Sequence, residues 1–99
     1  MNERTITVKV IFNGYHPYWD AIFQFELYNG GGMHYGNSSY VEIRRYNLKG
    51  EEIEDNRRTI DTRYDTSVKE FDKWVLTFLE RNYKKHTATI ISDKVGMPF

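Results

Sequence analysis

The sequence predicts an α+β domain: an antiparallel β-meander of four to five strands, covered on one face by a single amphipathic helix, in the order β-β-β-β-α-β. Three observations lead there. Apolar and polar residues alternate at period two over most of the first two thirds of the chain, as in strands with one buried face. Only Ser67 to Lys84 repeats its apolar residues at helical spacing over enough length to hold a helix. Short segments bearing glycine or asparagine divide the early runs, which favours neighbours that run antiparallel. Its 99 residues give room for one domain, 1–99, with one core.

The first strand is predicted over Thr5–Phe12, with Ile6, Val8, Val10 and Phe12 on its inner face. Asn13-Gly14 breaks it. The second runs from Trp19 to Tyr28, with Trp19, Ala21, Phe23, Phe25 and Leu27 inward and Asp20, Gln24 and Glu26 outward. Asn29–Ser38 follows as a glycine-rich hairpin loop with Met33, His34 and Tyr35 at its tip. The third strand, Ser39–Tyr46, turns Val41 and Ile43 inward and Tyr40, Glu42, Arg44 and Tyr46 outward. A turn at Asn47–Gly50 and an acidic run to Asp55 lead to a weaker fourth strand, Arg57–Tyr64, with Ile60 inside and Arg57, Thr59, Asp61 and Arg63 outside.

In the helix, Ser67 and Glu70 stand at capping-box spacing, and Val68, Phe71, Trp74, Val75, Phe78, Leu79 and Tyr83 share one face. Burying that face contributes on the order of 10–20 kcal/mol before the entropy of ordering is subtracted. So apolar a helix needs a sheet to lie on. His86–Ser92, rich in β-branched residues, is predicted as a fifth strand, either beside the first or at an edge. Asp93–Phe99 is expected to close as a tail docked through Val95, Met97 and Phe99.

Composition narrows the function. Fourteen basic and fourteen acidic residues cancel, so no overall field draws the chain to nucleic acid or anionic lipid. Without cysteine there are no disulfides or thiolate metal sites. No run approaches a membrane span, and MNERTITVKV carries charge where a secretion signal needs apolar residues, so a cytoplasmic protein is expected. His16, His34 and His86 lack ligand spacing, and neither a phosphate loop leading into a helix nor a nucleophile motif is present. No metal, cofactor or enzymatic activity is expected.

What stands out is aromatic content: eight Tyr, six Phe and two Trp. Alternation places several tyrosines on the outer sheet face beside arginines, the residue types that interface centres over-use. The sequence therefore predicts a non-enzymatic protein-binding module, an inhibitor or accessory protein in the style of those that phages and mobile elements encode to block a host enzyme or defence complex. Its candidate partner-binding residues are Tyr28, Tyr40, Arg44, Tyr46, Arg57 and Arg63 on the sheet, with Met33, His34 and Tyr35 in the loop. Two alternatives use the same aromatics: a homo-oligomer binding a small ligand or nucleotide, and a platform for single-stranded nucleic acid. Glu26, Glu42 and Asp61 weigh against the last, because they would repel phosphates.

Overall fold

The computed structural model describes residues 2–13, 20–29, 39–53, 57–63, 68–83 and 85–95, with the backbone alone at 2, 29, 39 and 61–63. Their order is β1 (Asn2–Phe12), β2 (Ala21–Asn29), β3 (Ser39–Tyr46), β4 (Arg58–Arg63), α1 (Phe71–Asn82) and β5 (His86–Val95). This is the predicted α+β arrangement. All pairings are antiparallel, and the sheet reads β4-β3-β2-β1-β5. β5 thus lies beside β1, at an edge, settling an order that alternation alone leaves open.

The inner face carries the alternating residues expected of it. Ile6, Val8 and Val10 pair in register with Phe25, Phe23 and Ala21, and Phe25 and Leu27 with Ile43 and Val41. These side chains are buried together with Phe71, Val75, Phe78 and Leu79 of α1. Aromatic rings bind the layers: Phe78 meets Phe25 edge-on at 5.7 Å, and Trp74 stacks on Phe78 at 5.5 Å. Such pairs add roughly 0.5–1.5 kcal/mol each beyond area burial.

α1 is shorter than the 67–84 periodicity predicts. Its N-cap position is Glu70, whose side chain makes no cap hydrogen bond, and Ser67, the other half of the predicted box, lies outside the described residues. Arg4 supplies a reason. Its guanidinium donates to the carbonyls of Val68 (2.7 Å), which also accepts from the Phe71 N–H, and Lys69 (3.2 Å), in the turn before the helix. The same group donates to both Asp93 oxygens, at 2.8 and 2.6 Å, so one side chain joins β1, β5 and the helix entry. At the other end Tyr83 leaves the helix in extended conformation, and Asn82 donates from Nδ2 to the Phe78 carbonyl.

Three further differences have local causes. β1 starts at Asn2 because β2 extends far enough to set Tyr28 opposite it, while β5 reaches as far as Arg4. β5 runs on to Val95, whose side chain is 60% exposed instead of docked; Met97 and Phe99 lie outside the described residues, as do Trp19 and Tyr64. Between Ser39 and Tyr40 the β3–β4 register slips, so Arg63 stands opposite Ser39 and Asp61 opposite Tyr40, breaking the simple alternation expected there.

The turn after β3 is built by one side chain. Asn47 Oδ1 accepts from the backbone of Lys49 and Glu51 at 2.9 and 3.0 Å, while Gly50 takes a positive φ of 89° that other residues rarely adopt. The acidic run lengthens the hairpin through a bridge between Tyr46 and Glu52.

Candidate functional site

The open face of the sheet, away from α1, collects four of the predicted residues. Alternation along β2 and β3 turns Ile22, Gln24, Glu26 and Tyr28 outward opposite Tyr46, Arg44, Glu42 and Tyr40. Tyr28 and Tyr40 are direct cross-strand neighbours, and their rings lie nearly parallel with centroids 5.0 Å apart. One pair along, Glu26 and Glu42 face each other, an opposition of like charges that is unfavourable by itself.

Arg44 offsets it. Its guanidinium lies 3.7 Å from Glu26 Oε1 and 3.7 Å from Glu42 Oε2. The Glu26 charge, and after it the Tyr46 hydroxyl, push the Arg44 guanidinium further up in pKa. The Tyr28 hydroxyl donates to Glu26 Oε2 at 3.2 Å, and the Tyr46 hydroxyl to Gln24 at 3.4 Å. Burial, then the nearby Glu26 charge, raises the Tyr28 phenol above its ordinary value, so it stays a neutral donor at physiological pH. Glu26 thereby meets both Tyr28 and Arg44, and Gln24 receives Tyr46.

The other candidates separate. Arg57 is exposed, just ahead of β4, and forms a two-point ion pair with Glu52, whose carboxyl it holds below the usual range chiefly through that hydrogen bond. Since Glu52 bridges to Tyr46, Arg57 borders the face. Arg63 is placed only by its backbone, opposite Ser39. Met33, His34 and Tyr35 lie outside the described residues.

Sequence reasoning missed Arg45. It continues the inner series of Val41 and Ile43, is 8% exposed, and lies 5.2 Å from the Phe23 centroid and 5.6 Å from that of Phe12. Tyr83 packs on the same two rings at 5.6 and 5.3 Å. A desolvated guanidinium over aromatic faces is stabilised by about 2 kcal/mol. Strict alternation from Val41 would have found it, since position 45 has inward parity.

Among the described residues, no three His, Asp or Glu side chains converge as a metal site requires, and no helix is long and apolar enough to cross a membrane. His86 is half-buried, its Nδ1 3.0 Å from the Tyr83 carbonyl oxygen. A cleft of about 460 Å³ beside it is lined by Leu76, Glu80, Tyr83, Lys85 and His86. Comparison of the chain with family models, with curated proteins and with solved structures finds no match in any of the three.

Proposed function

We propose that this chain is a protein-binding module of the cell interior, an inhibitor or accessory protein that works without catalysis and presents the open sheet face to its partner. The observation that carries this reading is the Tyr28–Tyr40 stack, locked at its margin by Glu26 and Arg44. Side chains already held in place lose little freedom on docking, which otherwise costs about 0.5–1.5 kcal/mol for each long side chain ordered. Tyrosine supplies broad contact area together with a hydroxyl that tolerates either water or a partner.

Charge favours a protein over a nucleic acid. Glu26 and Glu42 lie at the centre of the face, where their carboxylates would repel a phosphate backbone.

The test is affinity purification from the native host with the parent chain and with a Tyr28→Ala/Tyr40→Ala double variant. The parent should retain a specific protein, and the double variant should lose it while its melting temperature falls by only a few degrees. Equal retention by both would remove this face from the reading. Tight, salt-sensitive binding of single-stranded nucleic acid would overturn it altogether.

A further inference from the structure

The two edges of the sheet are finished differently. β4 is six residues long, RTIDTR in sequence, and its Arg58 lies over the Phe78 ring. Short, charged edges resist pairing with another chain. β5 is ten residues long, and among the described residues no strand pairs with its outer edge, which offers backbone N–H and C=O groups to any strand that can match it. Among the described residues, three of the five exposed large apolar ones lie on it: Ile90 (38%), Ile91 (52%) and Val95 (60%). A fourth, Leu76, lines the cleft at its start.

We infer that β5 pairs antiparallel with β5 of a second copy of this chain, about a twofold axis between Ile90 and Ile91, joining two sheets into one. The decisive feature is the register irregularity against β1. Thr7 pairs with Ser92 and Val8 with Ile90, so Ile91 is an extra residue. It reverses the alternation: His86, Ala88 and Ile90 pair with inner-face residues of β1, and after it Asp93 and Val95 do so.

A regular strand laid along this edge would match faces over one half and mismatch them over the other. A second β5 matches both, because its late half meets the early half of the first. His86 then stands opposite Val95 of the partner subunit and Ala88 opposite Asp93 of the partner subunit, all on the helix side. Thr87 stands opposite Lys94 of the partner subunit and Thr89 opposite Ser92 of the partner subunit, all on the open side.

No like charges oppose each other in this register. Four isoleucines meet at the axis, and Val95 of the partner subunit arrives at the cleft formed by Leu76, Tyr83 and His86. A strand of ten residues is about 33 Å long, and a sheet with its helix layer is roughly 20 Å deep. Together they give on the order of 650 Å² per copy, close to the ~800 Å² of a standard stable interface. The pairing leaves the Tyr28–Tyr40 face open, so it stands independently of the proposed docking function.

The test is the mass of the pure protein by light scattering across micromolar concentrations, with cysteine pairs to fix register. The parent should run at twice its 11.9 kDa chain mass. Ile91→Lys should weaken association at least roughly 30-fold, because it brings two lysines to the axis, with its circular dichroism unchanged. Thr89→Cys and Ser92→Cys proteins, each introducing the sole thiol, should form a disulfide dimer when mixed under mild oxidation and far less when either is alone. A single-chain mass at every concentration would leave the edge to another protein's strand and overturn the inference. So would a dimer insensitive to Ile91→Lys, or cross-linking as efficient with one variant as with the mixture.

Discussion

The two faces of this sheet handle charge in opposite ways. On the covered face three arginines stand around the apolar centre: Arg4 at the helix entry, Arg45 beneath its exit, and Arg58 on the β4 side over Phe78. Carbonyl oxygens and aromatic rings receive them, with Asp93 pairing Arg4. On the open face two carboxylates oppose each other, and Arg44 lies between them beside the stacked tyrosines. The contrast shows why arginine can border a core: its guanidinium is weakly hydrated and planar, and its stem packs as hydrocarbon. A carboxylate has no comparable apolar stem, and Asp93, on the covered side, stands at the margin, paired to Arg4.

The faces should therefore differ sharply when side chains are removed. The largest effect is expected at Phe25, fully buried between β1, β3 and α1. Phe25→Ala should lower unfolding free energy by about 3–5 kcal/mol in urea denaturation; a loss under 1 kcal/mol would mean that the two layers are not tightly packed.

Next comes Arg4. Arg4→Met should cost about 1–3 kcal/mol, since it removes charge-assisted bonds to Asp93 and to two carbonyls, and Arg4→Lys should recover only part, lacking the planar fork. The same pair sets an acid dependence. Arg4's hydrogen bond holds the Asp93 carboxyl below its ordinary value, so its stabilisation is present above the unfolded value near ~4 and is lost as pH falls through the lower folded one. Asp93→Asn should flatten the fall in stability below about pH 4, and an unaltered acid limb would show the pair to be unimportant.

On the open face the effects shrink. A double-mutant cycle on Tyr28 and Tyr40 should return a coupling of about 0.5–1.5 kcal/mol, the worth of one stacked pair. Smallest of all is Glu42→Gln. It relieves the opposition to Glu26 while leaving Arg44 with its first partner, so stability should stay within about 0.5 kcal/mol of the parent. A large loss there would show that Arg44 depends on both carboxylates, narrowing the contrast between the faces.

Most of the architecture was legible because alternation is a local signal. Ile6 to Phe12, Phe23 to Leu27 and Val41 to Ile43 each announce their buried face through neighbours two apart, and α1 announces its own from Phe71 to Leu79. What alternation does not carry is which strand lies beside which, and so β5's place next to β1 could not be read. Nor does it report a slip in register, so Arg63 and the Ile91 irregularity went unseen.

Of the candidate face, Tyr28, Tyr40, Arg44 and Tyr46 were legible as neighbours, but the carboxylate lock was not, since it depends on rotamers across strands. Arg4 and Arg45 escaped for a different reason. Hydrophobic patterning looks for apolar residues at inward positions and passes over a cation there, whereas here each joins its strand to another element.

The bond between Arg4 and Asp93 spans nearly the entire chain. During synthesis β1, β2 and β3 can assemble as a local meander, but β1 keeps one bare flank and the helix entry stays unlatched until residue 95 has left the ribosome. A nascent chain stalled before that point would display an unfinished flank next to its most apolar strands, where chaperones that hold extended hydrophobic segments would engage it.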